Sequence, residues 1–136
     1  MILFVDDEPR IMDSFKFHLE FKLAEMGKKL QFFSNVDEAI KFYRENSSEI
    51  EMAILDVMMP CGKSIDFKDS NGGMKSGFVF YKQIRKDSLK IPIFIFTNSI
   101  DDDIKEEVEK DARAKFLQKT DYLLTDFWDE VKAFLK

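Results

Sequence analysis

Five side chains able to do chemistry stand where apolar runs end. The run "MILFV" gives way to Asp6 and Asp7, "MAIL" to Asp56, "IFIF" to Thr97 and "KFLQ" to Lys119, and Glu8 extends the first acidic group. Crowding like charges is costly, since two carboxylates about 4 Å apart repel by roughly 4 kcal/mol at an effective dielectric near 20. A positive partner is implied. Carboxylates favour Mg2+, which keeps several waters and binds through one or two carboxylates plus phosphate oxygens. If Asp56 is a nucleophile, such a cation shields an incoming phosphoryl group from the acidic pocket, while Lys119 and Thr97 are types that bind its oxygens. The set reads as aspartyl-phosphate chemistry.

For these residues to meet, the apolar runs must be neighbouring strands of one sheet. Met1 to Val5 is a continuous apolar run of the kind buried on both faces of a parallel sheet. A helix follows: Pro9 suits its first turn, Asp7 or Glu8 can cap it, and Ile11, Phe15, Leu19, Leu23 and Met26 recur at helical spacing until Gly27. Leu30 to Phe33 reads as the second strand, and Asn35 with Glu38 as a capping box for a short helix through Ala39, Ile40 and Tyr43. "IEMAILDV" is the third strand. After "MMP" comes a Gly-, Ser-, Asp- and Lys-rich loop over 61–76, in which Ile65, Phe67 and the "SNGG" turn suggest a small hairpin, before "GFVFYKQIRKD" resumes a helical pattern. "IPIFIFT" is the fourth strand, and "SIDDDIKEEVEKDA" a charged helix with Ser99 as its cap and early acids matching the helix dipole. "KFLQ" is the fifth strand, and Leu124, Phe127, Trp128, Val131 and Leu135 form the apolar stripe of a last helix. The alternation predicts an α/β fold, a doubly wound sheet with helices on both faces, whose ligands bind beyond the carboxyl ends of the strands.

The 136 residues fit a single domain spanning 1–136. Fifteen Phe imply a core built largely of aromatic side chains. A net charge of −5 and the lack of a Lys/Arg run argue against direct nucleic-acid binding. The lone Cys61 forms no internal disulfide, and no apolar run is long enough for a signal anchor or membrane span, so a cytoplasmic location is expected.

The ordered set strongly resembles the receiver domain of bacterial two-component response regulators, over nearly the whole chain. "FVDDEP" looks like that family's acidic pair, "AILDVMMP" its phosphoacceptor strand, "FIFT" its switch-hydroxyl strand and "FLQK" its lysine strand. The resemblance implies a five-stranded parallel sheet in the flavodoxin-like order 2-1-3-4-5. It implies that Asp56 accepts a phosphoryl group, that Asp6 and Asp7 hold Mg2+ together with Asp56 and the backbone carbonyl of Met58, that Thr97 senses the phosphoryl group and that Lys119 pairs with it. Phe116 falls at the family's aromatic switch position. The donor would be a histidine kinase or phosphotransfer protein, and the output a downstream protein partner or output domain reached through the fourth helix, fifth strand and fifth helix. A homodimer is compatible with this. The domain would phosphorylate itself without a separate substrate, and so is not an enzyme in the ordinary sense.

Several positions depart from the family pattern. The segment from Pro60 to Gly77 is longer than usual, Thr120 follows Lys119 where proline is common, Asn98 is larger than the usual small residue, and Phe116 lacks a hydroxyl. Phe116 is open to two readings, a packing switch or plain core. Phe17, Phe21 and Ala24 lie nearly opposite the main stripe of the first helix, and either pack on the last helix or form an exposed patch. His18 reads as a surface residue. The alternative function is a phosphorylation-independent interaction scaffold with the same fold, against which the complete acidic, Thr and Lys set argues. A haloacid-dehalogenase-type phosphohydrolase needs a second Asp where Met58 stands, and a flavodoxin needs a hydroxyl-rich loop where the acids stand. The chain is expected to be a stand-alone regulator or a part of a longer protein.

Overall fold

Strands flanked by apolar residues on both sides have no face to offer water, and β1 (Ile2–Val5) and β3 (Met52–Leu55) are wholly buried. The computed structural model describes residues 1–135 and pairs these strands at the centre of one parallel sheet with β2 (Leu30–Phe33), β4 (Ile93–Thr97) and β5 (Ala114–Gln118), in the order β2-β1-β3-β4-β5. The expected doubly wound, flavodoxin-like order is the observed one. Lys136, the end of the expected 1–136 domain, lies outside the described residues.

Each strand sends alternate side chains to opposite faces. Leu3, Val5, Ala53, Leu55, Ile93 and Ile95 pack under α2 (Val36–Asn46), α3 (Ser76–Asp87) and α4 (Asp102–Glu109). Ile2, Phe4, Met52, Ile54, Phe94 and Phe96 pack under α1 (Pro9–Glu25) and α5 (Leu124–Phe134). The second face is aromatic: Phe96 stacks on Phe127 with ring centroids 4.1 Å apart, and Phe15 meets both rings edge-on. Full burial of such side chains stabilises by roughly 1.5–3 kcal/mol each.

Helix α1 turns a slightly different face inward than its periodicity suggests. Met12, Leu19 and Leu23 are buried, whereas Ile11 and Met26 are exposed, because a helix phased on Met12 also satisfies the i, i+7, i+11 pattern. Phe17, Phe21 and Ala24 are exposed, which selects the patch over packing on α5. His18 is half-buried, not a surface residue, and its Nε2 has no hydrogen-bond partner among the described residues. Asn35 caps α2 by accepting a bond from the Glu38 amide, as its sequence implies. Helix α4 is capped by Asp101, which accepts from the Ile104 amide, and not by Ser99; both types cap well, and the residue nearer the periodic apolar positions wins.

The connection from β3 to α3 ends at 75, one residue short of the expected loop, since Ser76 is already helical. It contains no strand, so the hairpin expectation fails. Asp66 accepts bonds from the Lys68 and Asp69 amides and so starts helical turns, which continue as Ser70 N to Asp66 O and Gly72 N to Phe67 O. Ile65 is buried and Phe67 is exposed. Asn71, Gly72 and Gly73 all take positive φ, which closes the turn. Two anchors hold the segment. The Asp37 carboxylate at the start of α2 accepts from the Lys63 and Ser64 amides at 2.8–3.1 Å, and buried Ser76 donates from Oγ to the Met59 carbonyl at 2.6 Å.

Candidate functional site

Register brings the acids together. Val5 pairs with Leu55, so Asp6 and Asp56 emerge side by side at the same end of the sheet. Thr97 pairs with Gln118, so Lys119 emerges one residue beyond Thr97 on the neighbouring strand. Lys119 opens a short 3-10 turn, Lys119–Asp121, that swings its side chain back over the sheet edge. Its ammonium lies 2.7 Å from Asp6 Oδ2 and 3.2 Å from Asp56 Oδ2, with all three side chains almost fully buried.

Backbone amides fix the two carboxylates. Asp6 Oδ1 accepts from the Glu8 amide at 2.9 Å, and Asp56 Oδ1 accepts from the Val57 amide at 2.8 Å. Thr97 is buried, and its Oγ1 accepts from the Ser99 amide at 3.1 Å, which leaves the hydroxyl proton free to donate. Helix α3 presses on the acceptor strand from behind: a Cβ added at Gly77 would lie 1.7 Å from the Asp56 carbonyl oxygen, so only glycine fits.

Asp6, Asp7, Glu8 and Asp56 each place a carboxylate oxygen within 4.8 Å of the others. Burial pushes the Asp6 carboxyl up to about 6, and the Asp56 charge adds to the rise. Asp7 is raised for the same two reasons in the same order. Burial alone would pull the Lys119 ammonium down, but its contacts with Asp6 and Asp56 outweigh this and its pKa rises, so it stays charged. One ammonium among four acids leaves excess negative charge. Asp6 Oδ2 is buried with no aligned hydrogen bond among the described residues, although it sits within ion-pair range of Lys119. A hard, all-oxygen donor set with such an oxygen suits a divalent cation of the Mg2+ type.

Asp7, Asp56, Thr97 and Lys119 line one cavity of about 720 Å3, together with Glu8, Met58, Asn98 and Ser99. Asp6 lies behind it, joined through Lys119. Phe116 is not part of the lining; it is half-buried and packs against the core beneath α2, α3 and α4. The 61–75 segment contributes Gly72, Gly73 and Met74 to the cavity wall, residues that the sequence did not single out for the site. Sequence reasoning also missed Asp37 and Ser76 as the residues that hold the wall in place, because they act through contacts distant in sequence, which no local pattern carries.

The family model for the response regulator receiver domain matches residues 2–122. No curated protein matches the chain. Among solved structures, the chain is similar to a response regulator receiver domain protein from Clostridium thermocellum, with 23% identity, coverage of 98% of this chain and 91% of the other, and a TM-score of 0.72. A CheY-like receiver domain protein from Methanospirillum hungatei JF-1 has 19% identity, coverage of 97% and 90%, and a TM-score of 0.71. The receiver domain of the hybrid histidine kinase CckA has 22% identity, coverage of 99% and 98%, and a TM-score of 0.68. At such identities the likeness speaks for the fold. The family match carries more, because it runs through all five strands and four of the five helices: the chain belongs to the response regulator receiver domain family.

Proposed function

We propose that the chain is a phosphorylation-controlled signalling receiver, a single domain that takes a phosphoryl group on Asp56 from a phosphohistidine of a histidine kinase or phosphotransfer protein. The observation that carries this reading is the convergence of Asp56, the acidic group, Thr97 and the Lys119 ammonium on one cavity at the carboxyl ends of four strands. A carboxylate oxygen of Asp56 forms the new P–O bond as the N–P bond of the donor breaks, and the imidazole nitrogen keeps the electron pair. Asp6, Asp7, Asp56 and the Met58 backbone carbonyl would hold Mg2+, with Glu8 beside them. Bound there, Mg2+ supplies positive charge that offsets the repulsion between the acidic pocket and the incoming phosphoryl oxygens.

The chain's own residues do the remaining work. The Val57 amide and Lys119 fix the rotamer of Asp56, so the nucleophile is aimed before the donor arrives. Lys119 then pairs with the new negative charge, and the free proton of Thr97 donates to a phosphoryl oxygen. Moving Thr97 towards that oxygen strains its bond with the Ser99 amide and pulls on the segment leading into α4. This supports a readout on the α4, β5 and α5 face, with Phe116 acting by packing because it has no hydroxyl. The test is incubation with acetyl phosphate and Mg2+, followed by intact mass. Wild type gains one phosphoryl group and Asp56→Asn gains none; equal labelling of the two would refute the assignment.

A further inference from the structure

The wall that the 61–75 segment adds to the acceptor cavity is made of thioether and backbone. Met74 lies in this wall and Met58 also lines the cavity, both about half exposed at 51% and 47%, so they stand at the mouth and not in the core. Met74 is held there. The Met59 amide donates to the Gly73 carbonyl, the Gly73 amide donates to Ser70 Oγ, and the Met74 amide donates to the Asn71 carbonyl. Ser70 and Ser76, which tie these turns together, are completely buried. The Met74 backbone is therefore fixed beside the acceptor site, with its side chain in the cavity wall.

Loss of the phosphoryl group to water forms a P–O bond from the water oxygen and breaks the P–O bond to Asp56. The carboxylate returns, and the water's protons pass to the released phosphate and to solvent. Such a water must be held in line with the bond that breaks, and holding it takes hydrogen-bond donors or acceptors. A thioether sulfur is only a weak acceptor and donates nothing. Given the proposed function, on which this inference rests, we propose that Met74, placed by the 61–75 segment, sets the lifetime of the phosphorylated state by leaving the attacking water without a partner on that side of the cavity.

The experiment loads the full chain with acetyl phosphate and Mg2+, removes the donor and follows the decay of phosphoprotein by intact mass. Met74→Gln, which puts an amide where the sulfur was, speeds decay by roughly five- to tenfold, the worth of about one hydrogen bond to the water. Met74→Leu, which keeps an apolar wall, retains the slow decay, and the apparent Mg2+ affinity of both variants stays at the wild-type value. Equal decay in wild type and Met74→Gln overturns the inference while leaving the receiver reading intact. If decay in Met74→Leu quickens as much as in Met74→Gln, the contact and not the chemistry matters, and the inference falls. A wild type that takes no phosphoryl group from acetyl phosphate or phosphoramidate overturns the receiver reading and this inference together.

Discussion

The acidic group is held in tension, and the tension is measurable at single residues. Asp7 shares its corner with Asp6, Glu8 and Asp56, and its carboxyl is raised by burial and by the Asp56 charge. Asp7→Asn removes one repelling charge, so the metal-free protein gains thermal stability while Mg2+ affinity drops by about tenfold or more. Titration calorimetry and a melting curve check both signs, and unchanged Mg2+ affinity contradicts the assignment. Asp6 gives a pH dependence. Its unfolded carboxyl titrates near 3.8 and its folded one near 6, so between these values the folded state binds more protons. The Asp6 contribution to metal-free stability is therefore unfavourable at pH 7 and is relieved as pH falls through 6 towards 4. Melting temperatures of wild type should gain on those of Asp6→Asn over that window, and parallel profiles would show that Asp6 is not the titrating group.

At the scale of elements, the 61–75 segment is ordered by contacts that tie it to α2 and to the acceptor strand. Gly62 has φ +59, and a Cβ there would lie 2.3 Å from Asp37 Oδ2, in the carboxylate that receives the Lys63 and Ser64 amides. Gly62→Ala should cost about 1–3 kcal/mol and detach the segment from α2. Hydrogen exchange at the Lys63 and Ser64 amides should quicken, and unchanged exchange would mean that the Asp37 anchor does not order the loop. The difference between what was legible here and what was not has a physical cause. The strands were legible because burial on both faces demands unbroken apolar runs such as "ILFV" and "MAIL", and their exits named Asp6, Asp7, Asp56, Thr97 and Lys119 directly. The loop was not, because its order depends on Asp37, distant in sequence, and on two serines that look like solvent-exposed loop residues. Ser99 is a good cap by type, but the packing of Ile104 and Val108 sets the start of α4 so that Asp101 caps it instead. The phase of α1 failed for a similar reason, since Ile11 and Met12 are both apolar and only the sheet selects Met12.

For the molecule as a whole, two aromatic and aliphatic layers clamp a parallel sheet whose strands bring the acidic group, Thr97 and Lys119 together at their carboxyl ends. The described residues contain no helix long and apolar enough to cross a membrane, and the apolar surface that remains includes Phe17 and Phe21 on α1. Aspartyl phosphates are reduced by borohydride to homoserine, so peptide mapping after loading with acetyl phosphate and Mg2+ identifies the acceptor residue itself. Homoserine at position 56, dependent on Mg2+ and undiminished in Asp101→Asn, is the predicted result. Homoserine at any other acid, or none at position 56 despite an added phosphoryl mass, would contradict it.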